Sequence, residues 1–137
     1  MATIKELIRT EATGGLSFGN YELDTKSKLS DFEYNGDLYK VKTFREITRL
    51  EKNEMFVYES VPGTTVLDMK LSNKGLAFSV EGLENTQVTV ELEPDEEYKV
   101  IVDDVNLGNM KTNLGGKLSF SLDLNPGRAV QVEVEKM

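Results

Sequence analysis

The chain contains no cysteine, no histidine and no tryptophan among its 137 residues. Without cysteine there is no disulfide, no thiolate nucleophile and no metal site built on sulfur. Without histidine the chain lacks the commonest general base and the commonest transition-metal ligand. Any catalysis would therefore depend on Asp, Glu, Lys, Arg, Tyr or Ser, and the absence of tryptophan removes a favoured platform for stacking sugars.

Long apolar runs are also missing. No run approaches the roughly 18 residues that a membrane span requires. The opening residues, MATIKELIRTEA, lack the apolar core of a signal peptide. We therefore expect no membrane insertion and a cytoplasmic location, with export inside a larger particle as the alternative.

Acidic residues outnumber basic ones by 24 to 16, which gives a net charge of −8. The excess lies mostly in residues 62–137, which hold thirteen acidic and seven basic residues. Such a chain is repelled by phosphate backbones and anionic lipid. We expect no nucleic acid among its partners.

The second half of the chain shows a regular period of two. Leu118, Phe120 and Leu122 alternate with Ser119 and Ser121, which is typical of a strand with one buried face. Related patterns span residues 67–71, 76–80, 88–92, 98–102 and 130–134, with a weaker one at 105–110. Turn residues separate them at intervals of about 8–12 residues. The sequence thus predicts a β-sandwich of about seven strands over residues 62–137, with Phe120 in its core.

One run, LEPDEEYKVIV from Leu92 to Val102, is more specific. It resembles the L-x-P-x-x-x-Y-x-V-x-V run of fibronectin type III domains. The resemblance implies an immunoglobulin-like sandwich, in which Tyr98, with Pro94 upstream, locks a corner by bonding to backbone. Tyr98 falls on the fourth of the seven expected strands and not on the next-to-last, so only the general fold is carried over.

The first 61 residues are expected to form an N-terminal β-hairpin subdomain. The dipeptide Asn35-Gly36 between two strand-like runs predicts a type I′ hairpin. In that register Phe32 faces Tyr39 and Asp31 faces Lys40.

Two other N-terminal segments fit either a helix or a strand. Residues 3–11 contain a capping-box pattern but lie among strands, which favours a strand. In residues 43–53, Thr43 could cap a short helix with Phe44, Ile47 and Leu50 on one side, and the choice between helix and strand is left open.

Two groups of carboxylates are candidates for a metal site, since Ca²⁺ takes several oxygen ligands. Asp95, Glu96 and Glu97 form one group, and Asp103 and Asp104 form the other. Neither has the spacing of an EF-hand loop, and both fit solvated turns. We predict no cofactor.

Three tyrosines are candidates for ligand binding. Tyr21, Tyr34 and Tyr39 lie near Phe18 and Phe32 in the sequence, and exposed aromatic rings could stack on a sugar. The alternative is that these rings line the core or pair across strands.

The whole chain resembles a family of short bacterial proteins, found chiefly in gut and other anaerobes, that often carry the label endosialidase. The segments that carry the resemblance are LIRTEATGGLSFGNYEL, NGDLYKVKTF, FVYESVPGTTV and MKTNLGGKL. The label implies a glycan hydrolase. The chain has four arginines and no Asp-box pattern, so no catalytic residue is carried over and we do not predict an enzyme.

The leading hypothesis is a non-catalytic structural or assembly protein that acts through sheet faces and edges. Its expected partner is another copy of itself or another protein. A carbohydrate-binding accessory module is the first alternative, which leaves a glycan ligand open, and a small glycan hydrolase is the second.

Overall fold

The structure is a computed structural model that describes residues 3–137. Its regular elements are all strands, and the described chain contains no helix. Consequently the described residues include no helix that could cross a membrane. The thirteen strands are β1 (Ile8–Thr10), β2 (Leu16–Phe18), β3 (Ser27–Tyr34), β4 (Asp37–Phe44), β5 (Ile47–Lys52), β6 (Met55–Val61), β7 (Thr65–Ser72), β8 (Gly75–Glu81), β9 (Thr86–Glu91), β10 (Glu97–Val102), β11 (Val105–Lys111), β12 (Lys117–Leu122) and β13 (Val130–Lys136).

The strands form two antiparallel sheets that enclose one hydrophobic core. Sheet A has the order β1-β2-β7-β8-β13-β10-β11, and sheet B has the order β12-β9-β6-β5-β4-β3. Strands β1 and β3 contact each other, so β11 and β12 end the two sheets on the opposite side of the sandwich. Phe18, Tyr58 and Phe78 meet edge to face between the layers, with ring centroids 5.4 and 5.7 Å apart.

The predicted β-sandwich is confirmed at the level of two packed antiparallel sheets. The seven expected strands of residues 62–137 form as β7 to β13. Their period of two has the expected physical cause, since Leu118, Phe120 and Leu122 are buried whereas Ser119 and Ser121 are exposed.

Each sheet mixes strands from both sides of residue 61. In sheet A, β2 pairs with β7, and in sheet B, β6 pairs with β9. Side chains from both segments share the core cluster. The boundary expected at residue 61 therefore falls between β6 and β7, which belong to different sheets of the same sandwich.

The Asn35-Gly36 hairpin forms as predicted, with φ angles of 51° and 82° at the two turn residues and with Phe32 opposite Tyr39. The expected pairing of Asp31 with Lys40 is wrong. The register shifts between Leu29 and Phe32, and Asp31 has a φ of 60°. A bulge places an extra residue in β3 and removes Asp31 from the ladder.

Of the two possibilities left open for residues 43–53, the structure has the strand and not the short helix. Phe44 ends β4 and Ile47 begins β5, with a tight turn at Arg45-Glu46 between them. Thr48 and Leu50 are buried while Arg49 faces outward, so the true period is two. Pairing with β4 on one side and β6 on the other outweighs the helical spacing. In residues 3–11 the favoured strand is present as β1, after a turn in which the Leu7 N–H donates to the Ile4 carbonyl.

Candidate functional site

The four edge strands of the sandwich differ in how they are protected. Exposed edges offer unpaired backbone groups to other chains, and proteins usually blunt them with short strands, bulges or charges. β1 has three residues, and the ladder that joins β3 to β4 is shifted beside Asp31. The ladder of β11 against β10 is shifted between Val100 and Ile101, and Gly108 has a φ of 106°. Each of these three edges therefore carries a protective feature.

Among the edge strands of residues 3–137, β12 is neither short nor interrupted by a shifted ladder. Its six residues pair one to one with β9, from Lys117 opposite Glu91 to Leu122 opposite Thr86, without a register shift. The charge of Lys117 is neutralised by an ion pair of 2.9 Å with Glu91. Because its ladder has no register shift, the strand is regular along its length. Ser119 and Ser121 are its remaining outward side chains, so its outer face is nearly uncharged.

The turn before β12 fixes where this edge begins. The side-chain oxygen of Asn113 accepts hydrogen bonds from the N–H groups of Gly115 (2.9 Å) and Lys117 (3.0 Å). Gly116 has a φ of 81°, and a Cβ there would lie 2.3 Å from the Leu92 carbonyl oxygen. The Asn-Leu-Gly-Gly sequence thus holds β12 tightly against the end of β9.

A basic recess lies at the opposite edge of sheet B. Lys28 of β3 faces Lys42 of β4, and Lys42 faces Arg49 of β5. Together with Lys40 and Glu51 these side chains line a hollow of about 70 Å³, which we call the lysine recess. Arg49 is paired with Glu51 and Glu59, both at 3.1 Å.

A larger polar cleft adjoins the lysine recess. It has a volume of about 610 Å³ and is lined by Ser30, Asp31, Leu38, Tyr39, Lys40, Glu51, Asn53 and Glu54. One wall is the bulge of β3, and another is the turn between β5 and β6, where Asn53 and Glu54 have φ angles of 50° and 69°. Asn53 is held by donating to Asp37 and accepting from the Leu38 N–H.

The carboxylates predicted as metal candidates lie at the two ends of β10. Asp95 pairs with Lys111 at 3.2 Å, and Glu97 is an exposed residue at the start of the strand. At the other end, Asp103 and Asp104 form the turn into β11 with φ angles of 48° and 66°. Within the described residues no group of three or more acidic side chains is placed to hold a metal.

Asp103 has a structural role in this turn. Its carboxylate accepts a hydrogen bond from the Gln131 N–H and another from Arg128, both of 2.9 Å. These bonds, the first more than the second, lower the pKa of Asp103 below its ordinary value of 3.8. The carboxylate thus joins the β10–β11 hairpin to the start of β13.

The three candidate tyrosines do not form an exposed platform. Tyr21 and Tyr39 are buried, and burial raises the pKa of Tyr39 to about 12. Tyr34 packs edge to face on Tyr39, with centroids 5.6 Å apart, and donates to the Gly14 carbonyl. The rings therefore pack against the protein, although Tyr39 also borders the polar cleft.

A buried hydroxyl network at one end of the sandwich escaped the sequence analysis. The Thr64 hydroxyl lies 2.8 Å from that of Tyr58 and 2.7 Å from that of Ser60. The Thr48 hydroxyl donates to the Thr64 carbonyl and lies 2.8 Å from the Thr43 hydroxyl. All five side chains are buried. The sequence signal that could have indicated the network is the presence of Thr43, Thr48 and Ser60 at inward positions of their strands.

Comparisons with protein-family models, with curated proteins and with solved structures found no match. What the β12 edge, the lysine recess and the polar cleft could bind follows from the chemical groups that each of them exposes. β12 offers backbone hydrogen bonds, the lysine recess offers positive charge, and the cleft offers mixed polar groups. The buried hydroxyl network is fully hydrogen-bonded within the described chain and is suited to holding loops together.

Proposed function

We propose that the protein is a non-catalytic assembly protein that self-associates through the edge of β12. The observation that carries this proposal is the contrast between the edges. β1 is short, the ladders at β3 and β11 are shifted, and β12 is straight, free of Gly and Pro, and faces outward with serines. Unprotected edges of this kind pair with other strands.

A second copy of the chain is the simplest partner for such an edge. Two β12 strands placed antiparallel about a two-fold axis would join two copies of sheet B into one continuous sheet, and a two-fold interface closes on itself. Small, uncharged side chains at Ser119 and Ser121 would let the two strands approach without like-charge contact. On the same side of the sandwich, the exposed Val105 and Leu107 of β11 would be partly covered.

The proposal is tested by the molar mass of the protein in solution as a function of concentration. Light scattering or sedimentation should give a mass above 15.4 kDa that falls on dilution. Ser119→Lys with Ser121→Lys places four positive charges along a paired β12 edge and should give a monomer. A monomeric wild-type chain at every concentration would sink the proposal.

A matched control separates the edge from the general effect of charge. Ala77→Lys with Gln131→Lys adds the same two charges at exposed positions on central strands of sheet A. This variant should associate like the wild type. Amide hydrogen exchange adds a local readout, because β12 amides should be protected in the assembly and exchange faster in the Ser119 and Ser121 variant.

As part of this proposal, we assign the β-sandwich to the immunoglobulin-like type. Support comes from Tyr98, whose hydroxyl accepts a hydrogen bond from the Glu93 N–H upstream of it. A bond from this tyrosine to backbone upstream of it is what the fibronectin-like run implies, and it supports this part of the proposal.

A carbohydrate-binding accessory module is a second candidate, favoured by the polar cleft beside the β3 bulge. Its acidic and amide side chains, Asp31, Glu51 and Asn53, are the kind that bond sugar hydroxyls, and Leu38 supplies an apolar contact. A glycan array tests it. Asp31→Asn tolerates the positive φ and should weaken any binding in this cleft, whereas an array without hits would remove this candidate.

A further inference from the structure

The lysine recess concentrates positive charge on a strongly acidic protein. Lys28, Lys42 and Arg49 occupy directly opposite positions on three neighbouring strands. Lys40 lies on the same face, two residues before Lys42. Within residues 3–137 no ion pair joins Lys28, Lys40 or Lys42 to a carboxylate.

This arrangement is unfavourable for the isolated fold. Side chains directly opposite each other in an antiparallel pair have Cβ atoms about 4.5–5.5 Å apart, and like charges in such pairs destabilise the sheet. Arg49 is ion-paired with Glu51 and Glu59, and Glu51 lies opposite Lys40. The uncompensated charge therefore rests mainly on the directly opposed Lys28 and Lys42. An anion held between their ammonium groups would remove the repulsion.

We propose that the lysine recess is a binding site for a tetrahedral oxyanion, a phosphate or sulfate group. The hollow of about 70 Å³ is several times the roughly 10–15 Å³ of such space that one water needs, which leaves room for one compact anion. Lysine ammonium groups are mobile point charges that bind phosphate from several directions. Glu51 lies opposite Lys40 and also lines the hollow. Its ion pair is with Arg49, so the anion would be held mainly by Lys28 and Lys42.

The site does not depend on self-association through β12. Lys28 and β12 lie on opposite edges of sheet B. A result that contradicts anion binding therefore does not contradict self-association, and the reverse also holds. The recess is open to solvent, and an oxyanion free in solution or carried on a longer molecule would meet the same three ammonium groups.

The test is thermal unfolding in increasing inorganic phosphate, with ionic strength held constant by sodium chloride because salt screens such surfaces. The unfolding temperature of the wild type should rise with phosphate and saturate. Lys28→Gln with Lys42→Gln should lower phosphate affinity roughly tenfold, because it removes two of the ammonium groups that line the hollow and each solvent-exposed charge contact is individually weak. The same variant should be no less stable than the wild type without phosphate, because it removes a like-charge pair.

Lys5→Gln with Lys74→Gln is the control, since it makes the same charge change at exposed lysines elsewhere. It should keep the full phosphate response. An equal response of both variants, or an equal response of the wild type to chloride, would overturn the proposal. A parallel titration with methyl phosphate, an ester of similar charge, identifies the source of the anion: a site for a polymer-borne group should bind it about as tightly as inorganic phosphate, and a site for the free ion should bind it more weakly.

Discussion

The hydroxyl of Tyr98 accepts a hydrogen bond from the backbone N–H of Glu93 over 3.2 Å. Tyr98 is 2% exposed, and its ring belongs to the core cluster. The Thr112 hydroxyl completes the corner by donating to the Glu93 carbonyl at 2.7 Å. The segment between β9 and β10 is therefore tied both to the core and to the end of β11.

Tyr98→Phe should lower the free energy of unfolding by about 0.5–1.5 kcal/mol, because it removes a partly buried hydrogen bond and leaves the Glu93 N–H without this acceptor. Urea denaturation measures the loss. Tyr34→Phe is the control, since its hydroxyl bonds to Gly14 at an exposed position, where water can replace the lost contact. Similar losses in the two variants would show that the Tyr98 corner adds little to stability.

The Thr64 hydroxyl should contribute measurably to the free energy of unfolding. Thr64→Val keeps the shape of the side chain but removes the contacts to the hydroxyls of Tyr58 and Ser60. Since both of these hydroxyls are buried and each would lose one of its partners, we expect a loss of about 1–3 kcal/mol. The measurement is again urea denaturation.

A double-mutant cycle separates this network from simple packing. Combining Thr64→Val with Tyr58→Phe removes both partners of one bond, so the double variant should lose less than the sum of the two single losses. Additive losses would mean that the Tyr58 and Thr64 hydroxyls act independently.

The C-terminal strands were predictable because their chemistry is local. In the segment Leu118 to Leu122 each apolar residue points into the core and each serine points out, so the period of two is visible in the sequence. The Asn35-Gly36 turn was predictable for the same reason, since its φ angles need those residues.

Features that depend on distant partners were not predictable. Residues 43–53 show a helical spacing locally, and only the flanking strands β4 and β6 decide that Ile47–Lys52 is a strand. The bulge at Asp31 likewise has no signal in its neighbours. The lysine recess needed the register of three strands, because Lys28 and Arg49 are 21 residues apart in the sequence.

Phe120 anchors the edge strand to the core. It is 6% exposed and lies opposite Val88. Phe120→Ala should destabilise the protein by about 3–5 kcal/mol through lost burial and the cavity left behind. Ser121→Ala, on the exposed face of the same strand, should change stability by less than about 0.5 kcal/mol. A loss under about 1 kcal/mol for Phe120→Ala would contradict its place in the core.

Asp103 should make part of the stability depend on pH in the acid range. Its folded-state pKa lies below the ordinary value of 3.8, because the Gln131 N–H and Arg128 bond to the ionised carboxylate. The resulting stabilisation is fully present above pH 3.8, declines as the pH falls below that value and is lost as the pH passes through the folded-state pKa. Asp103→Asn cannot ionise, so it should be less stable than the wild type at pH 7, and the difference should shrink as the pH falls below 3.8. Thermal unfolding of both proteins between pH 7 and about pH 2 measures this, and a difference that stays constant over that range would exclude Asp103 as the titrating group.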